Sequence, residues 1–163
     1  MTLTSILPTL RDSIPAPLDD SVWPVHTRAT TDDVVVAGVS VRRIAEICAT
    51  PCVYTGAAVL PHSGGHASPT DSTTIVIARV TGVSGAGIVL DATFHGHAPL
   101  WREARLLGRV SHAYELRMPI AGADSPSPLG VVRLPDDVRA GDLIAVPCPG
   151  CFSVGDVRPA RNR

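Results

Sequence analysis

A chain of 163 residues, 45% hydrophobic and 18% charged, has the composition of one globular domain with a sizeable core and is too short for two ordinary ones. Its 14 basic and 15 acidic residues leave a net charge of −1, which gives no reason to expect nucleic acid as a partner. No apolar run reaches the about 18 residues of a membrane span, and "MTLTSILPTLRDSIPAP" lacks the basic start and continuous apolar stretch of a signal peptide, so a cytoplasmic protein with no membrane partner is expected.

Residues 1–20 carry three prolines and little periodicity, which predicts a loosely ordered arm docked on the body through Trp23. "DDVVVAGVSV" opens with a β-branched run and turns at Gly38. Val41, Ile44, Ala45 and Cys48 then fall at helical spacing, predicting a short helix over residues 41–48 capped by Ser40. "PCVYTG" reads as a strand, and residues 60–72, "LPHSGGHASPTDS", as a loop without core-forming residues. A β succession follows: "TTIVIARVTGV", "AGIVLDATF", "ARLLGRVSHAYEL", "LGVVRLP" and "DLIAVPC". Nothing between these strands is long enough for a crossover helix, so the chain reads as a mainly β barrel or sandwich of about six to eight strands. The expected organisation is an arm over residues 1–20, a β-domain over 21–158 and a tail over 159–163.

Two stretches carry a family resemblance. "VWPVHTRATTDDVVVAGVSVRRIAEICATPCVYTG" resembles the opening of diaminopimelate decarboxylases, and "VVRLPDDVRAGDLIAVPCPGCFS" resembles the closing strands of the same fold-type III, pyridoxal-phosphate-dependent decarboxylases of the diaminopimelate and ornithine type. In such enzymes a (β/α)₈ barrel of roughly 250 residues lies between these ends; here only the loop near 60–72 does. The resemblance implies the decarboxylase's C-terminal β-domain standing free of its catalytic barrel. It also implies that the strand of residues 34–36 pairs into the same sheet as the later strands. The family's Schiff-base lysine belongs to the missing barrel, and this chain has no lysine at all, so no side chain can form the imine; no cofactor is expected. The family's Cys-Glu-x-x-Asp motif corresponds to Ser111, His112 and Glu115, and its closing Gly-Ala-Tyr to Gly150, Cys151 and Phe152, so those functional positions are rewritten.

The remaining polar residues offer the candidate chemistry. His95 and His97, one residue apart, would share a strand face and could serve as acid and base. In "SHAYE", Ser111 and Glu115 would share one strand face while His112 and Tyr114 share the other. His95, His97, His112, Glu115 and Tyr54 are the candidate catalytic groups, with Ser111, Tyr114, Phe152 and Trp101 as substrate contacts. Cys148 and Cys151 have the C-x₂-C spacing of half a zinc site, which Cys48 and Cys52 could complete; the competing reading is unpaired buried thiols, and no metal is expected. The related D-threonine aldolases use a Pro-x-His-x-Cys metal motif at a comparable end, where this chain has Pro149 in place of the histidine.

Two functions follow. One is a cofactor-independent, biosynthetic small-molecule enzyme, such as a cyclase or isomerase, with its ligand in a barrel pocket. The other is a catalytically dead, decarboxylase-like binding or partner subunit. The apolar surface bared by loss of the catalytic barrel, placed near Leu106, Leu107, Val110 and Met118, predicts a homodimer. Leu3, Ile6, Leu7, Leu10 and Ile14 of the arm could instead cover that surface within one chain.

Overall fold

The protein is described here from a computed structural model covering residues 2–125 and 127–160. The tail expected over 159–163 therefore lies, beyond residue 160, outside the described residues. The chain is mainly β, with strands β1 (Thr27–Ala29), β2 (Val34–Val36), β3 (Val39–Ser40), β4 (Cys52–Val59), β5 (Ala67–Ser84), β6 (Gly87–Leu90), β7 (Arg105–Leu107), β8 (Glu115–Ala121), β9 (Gly130–Pro135) and β10 (Leu143–Pro149). Helices are short: α1 (Leu3–Ile6), α2 (Val41–Cys48) and α3 (Val154–Val157).

The long strand β5 organises a nearly closed, barrel-shaped sheet of seven strands in the order β7-β10-β5-β6-β8-β9, with β4 also on β5. Its first part pairs antiparallel with β4 on one side and β10 on the other. Past a register shift between Val80 and Gly82 it pairs with β6 instead, and the bulge bends the sheet round. β6 then pairs parallel with β8, and β8 antiparallel with β9.

The unbroken apolar run "TTIVIARV" follows from burial on both faces. Val76, Ala78 and Val80 turn into the barrel, where Ile88, Leu90, Ile120, Leu134, Ile144 and Cys148 fill the interior. Ile75 and Ile77 turn the other way, onto Trp23, Val34, Val36, Val41, Ala45 and Cys52. That outer layer is the three-stranded sheet β1-β2-β3 together with α2. The strand of residues 34–36 thus lies in a separate sheet, not in the barrel sheet as the resemblance implied. It caps the outer face of β5, because Val34 and Val36 can be buried there without a ladder partner in the barrel.

Helix α2 spans the expected residues 41–48. Ser40 caps it by accepting from the Arg43 N–H at 3.1 Å, and Asp33 accepts in turn from Ser40 Oγ and from the N–H groups of Val34 and Arg42. Only Val41 and Ala45 are buried, however, and Cys48 at the end of the expected apolar stripe is exposed.

Three other segments depart from expectation. The loop expected over 60–72 is nearly half strand: β5 begins at Ala67 and leaves a hairpin tip of residues 60–66. Chain polarity misled here, because the strand end protrudes into solvent. "ARLLGRVSHAYEL" is two strands, β7 and β8, broken at Gly108, whose φ of +86° ends the extended run. Of the arm expected over residues 1–20, the described residues 2–20 are docked: Arg11 is buried and donates to the carbonyls of Thr4 (3.1 Å), Ser111 (3.0 Å) and Ala113 (2.9 Å). Its Leu3, Ile6, Leu7 and Ile14 nevertheless stay exposed and Leu10 is half-buried, so they do not act as a cover.

Trp23 is fully buried, and its Nε1–H donates to Glu103 Oε2 at 2.9 Å, which also accepts from the Asp19 N–H at 3.0 Å. Trp23→Ala is expected to cost about 3–5 kcal/mol. Trp23→Phe keeps most of the volume but loses the donor, and is expected to cost about 1–3 kcal/mol. Urea unfolding of both variants checks the order and the sizes.

Candidate functional site

The expected catalytic groups fall into three separate places. His95 and His97 lie on a turn after β6, where the positive φ of Gly96 makes them diverge. His95 is exposed with Nε2 2.7 Å from Asp124 Oδ2. His97 instead stacks on Phe152, ring centroids 3.9 Å apart and planes 24° from parallel. The strand geometry that would have given them a common face is absent from this segment. Burial is the largest influence on Asp124 and raises it, but the lowering contributions, the contact with His95 among them, together outweigh this and hold its carboxyl below the usual range.

His112 sits before the start of β8, exposed, with Nε2 2.8 Å from Asp12 Oδ2. Strand β8 separates it from His95 and Asp124: seven residues at about 3.3 Å each span roughly 20 Å. Tyr54, on β4, packs on the outer core with Ile75 and Ile77, across β5 from the barrel interior. No shared reaction centre joins these groups.

The expected substrate contacts other than Tyr114 have structural partners. Ser111 is buried; its hydroxyl donates to Asp137 Oδ1 at 2.6 Å and accepts from the Ala113 N–H at 3.1 Å, so both capacities are spent. Tyr114 points into solvent. Trp101 meets Phe94 edge-on at 4.9 Å and covers Gly130, where an added Cβ would lie 2.4 Å from the indole. It is a wedge beside the edge strand β9.

The thiols divide in two. Cys148 faces the barrel interior and Cys52 the outer core, on opposite sides of β5, while Cys48 and Cys151 are exposed. "CPGC" is the end of β10 running into a turn at Gly150, whose carbonyl accepts from Thr74 Oγ1 at 2.8 Å. Among the described residues no three His, Cys, Asp or Glu side chains gather as a metal site would require. Burial pushes the Cys148 thiol up to about 12, and burial together with neighbouring Cys48 pushes Cys52 up to about 11.

What the fold does assemble is a cleft of about 90 Å³ between the arm, the loop before β2, the segment Ala104–Ser111 and the start of the β8–β9 pair. Arg11, Arg105, Arg109 and Arg133 line it, with Asp33 and Glu115. Of the residues singled out in the sequence, Ser111 and Glu115 are here; the arginines were not foreseen. The only sequence hint was that every basic residue other than histidine is arginine, the side chain suited to several hydrogen bonds at once. Arg109 is committed to structure, donating to Asp142 at 2.7 and 3.0 Å and to Asp137 at 3.1 Å. Three larger clefts, of 460, 620 and 180 Å³, lie against the β4–β5 hairpin and hold none of His95, His97, His112, Glu115 or Tyr54.

Burial alone would raise Asp142 and Asp137, but hydrogen bonds from Arg109 to both, from Ser111 to Asp137 and from the Arg139 N–H to Asp142 hold both below the ordinary range. Their stabilising contribution is therefore complete above the unfolded-state pKa of about 4 and is lost as pH falls through the lower folded values. The urea midpoint is expected to fall between pH 4 and pH 2, and Arg109→Gln, costing up to about 3 kcal/mol at pH 7, should flatten that fall. Thiol labelling supplies a second check: two fast-reacting groups, Cys48 and Cys151, and two that react only on unfolding.

Comparison with protein-family models, with curated proteins and with solved structures finds no match to this chain.

Proposed function

We propose that this chain is a free-standing, decarboxylase-like β-domain acting as a non-catalytic binding subunit. The observation that carries this reading is the filled barrel: sixteen buried residues, from Val76 to Val157, occupy the space an enclosed substrate pocket would need. The dispersal of His95, His97, His112, Glu115 and Tyr54 supports it, since acid–base catalysis needs its groups within hydrogen-bond reach of one substrate. So does the rewriting of the positions through which the resembled family contacts cofactor and substrate.

Such a subunit acts through its surface, and the surface offers an apolar patch. Val89, Pro119 and Val131 share the outer face of β6, β8 and β9, flanked by Arg117 and Arg133. The residues first expected there do not form it: Leu107 is buried, and Leu106 and Met118 pack inward on the barrel core, while Val110 lines the arginine cleft. Self-association through the Val89–Val131 patch as a two-fold dimer is the simplest use of it.

A second reading, the cofactor-independent cyclase or isomerase, is favoured by Glu115, whose carboxylate faces the arginine cleft with its nearest charged partners at 3.6 and 3.8 Å.

Sedimentation at micromolar concentration tests the proposed surface. The expected mass is about twice the 17.0 kDa of one chain, falling to the monomer value in Val131→Glu with an unchanged melting temperature. A wild-type monomer, or a dimer indifferent to Val131→Glu, would remove the patch as the interface. Native mass spectrometry of the purified protein separates the two readings, since a bound small molecule that leaves with altered mass supports the enzyme.

A further inference from the structure

The end of the β5–β10 ladder leaves one buried hydroxyl unpaired. Thr73 is 5% exposed and shares the outer face of β5 with Ile75 and Ile77. Its cross-strand neighbours, Gly56 on β4 and Pro149 on β10, carry no side-chain donor or acceptor. Neither does Pro24, which packs over Gly56 so closely that an added Cβ would lie 2.9 Å from the proline. Thr74, on the other face, meets Thr55 Oγ1 at 2.9 Å and donates to the Gly150 carbonyl at 2.8 Å; Thr73 Oγ1 has no partner among the described residues. Nor is it sealed from water, as the unpaired hydroxyl of Thr93 is. It opens on the 460 Å³ cleft that Thr73 lines. A hydroxyl so placed is where a ligand's polar group would be held.

The volume lies within the about 300–1,000 Å³ of small-molecule sites, and Val22, Ala58, Leu100 and Pro149 give the cleft apolar walls. Asp71 is the one charged side chain lining it; its Oδ2 accepts from Ser68 Oγ at 3.4 Å, and no cation pairs with it among the described residues. Cys151, an exposed thiol, completes the lining. The other exposed thiol, Cys48, ends α2 and lines none of the four clefts described above. A nucleophilic sulfur, a carboxylate without a counter-ion and an unpaired hydroxyl around apolar walls fit a molecule with a sulfur to exchange, an ammonium group and a short hydrocarbon linker.

We propose that Cys151 is a reversible attachment site for a small aminothiol, delivered as its disulfide and held in this cleft with its ammonium on Asp71 and the Thr73 hydroxyl. The Cys151 thiolate attacks one sulfur of the disulfide, whose S–S bond breaks as a new one forms to Cys151. The second aminothiol leaves as a thiolate and takes up the proton that Cys151 gave up. Cys151 is oxidised to the mixed disulfide and half of the incoming disulfide is reduced to thiol, so no other oxidant enters. Cys148 does not displace the adduct, because it is fully buried and faces the barrel interior; an external thiol removes it. The cleft shares no residue with the Val89–Val131 patch, so the site stands whether or not the chain dimerises.

Timed reaction of the folded, full chain tests it, with modification of Cys48 and Cys151 followed by peptide mass spectrometry. The reagents are cystamine, the dicarboxylate dithiodipropionate of similar length, and iodoacetamide, which reads thiol reactivity without a cleft-sized group. The ratio of the Cys151 rate to the Cys48 rate is expected to be at least tenfold higher with cystamine than with iodoacetamide, and the Cys151 rate should saturate with cystamine. Dithiodipropionate should show no such preference. Thr73→Val and Asp71→Asn should each lower the cystamine ratio about three- to tenfold while the Cys48 rate, the iodoacetamide ratio and the melting temperature stay unchanged; a merely structural role would not separate the reagents. Equal ratios for cystamine and iodoacetamide, a Cys151 rate linear in cystamine, a preference for the dicarboxylate, or indifference to both substitutions each overturns the proposal.

Discussion

Burial of β5 on both faces is the constraint from which the rest of the molecule follows. Residues Ile75 to Val80 alternate between two cores, and apart from Arg79 at 75–80 none of them reaches water. A strand in a single open sheet would bury one face only; this one needs a barrel on one side and a separate cover on the other. The barrel supplies the first. The layer of β1, β2, β3 and α2 supplies the second, pinned by Asp33 and by Trp23 with its bond to Glu103. Each fully buried isoleucine contributes about 1.5–3 kcal/mol relative to exposure, so detaching the cover would leave Ile75 and Ile77 as a large local loss.

The two-sided cover has a consequence for chemistry. Because the barrel interior is packed and the outer face of β5 is roofed, ligand access is confined to the seams where the pieces meet. The arginine cleft is such a seam, with walls from the arm, the outer sheet and the barrel edge. Its polar groups come from positions as far apart as 11 and 133. Assembly from distant segments places charged groups beside one another without the local alternation that a strand-borne site would display.

This explains what could be read from residues and what could not. Helix α2 was legible because its cap and apolar spacing are local, and β5 and β10 because a β-branched run surrounded by turn residues has few other uses. The break at Gly108 was less legible: apolar residues continue on both sides, and only the backbone requires the turn. The histidines misled through the same assumption, since reading "FHGH" as strand gave His95 and His97 a common face that a turn denies them. Docking of the arm had no local signature at all. It depends on bonds between positions 84 to 102 apart, from Arg11 to the carbonyls of Ser111 and Ala113, from the Asp19 N–H to Glu103 and from Arg105 to the Pro17 carbonyl, relations the sequence of neither segment displays.

Arg11 joins these threads through the geometry of its side chain. A lysine there could direct three hydrogens from one nitrogen, but could not bond Thr4 on one side and Ser111 and Ala113 on another from two separate nitrogens. The guanidinium does this from one rigid plane, with Nε and Nη1 committed to the carbonyls and Nη2 buried beside Glu115 at 3.6 Å. The exposed apolar residues of the arm, Leu3, Ile6 and Leu7, are carried on polar anchors, Arg11 foremost and the Asp19–Glu103 and Arg105–Pro17 bonds beside it, rather than held by burial of their own.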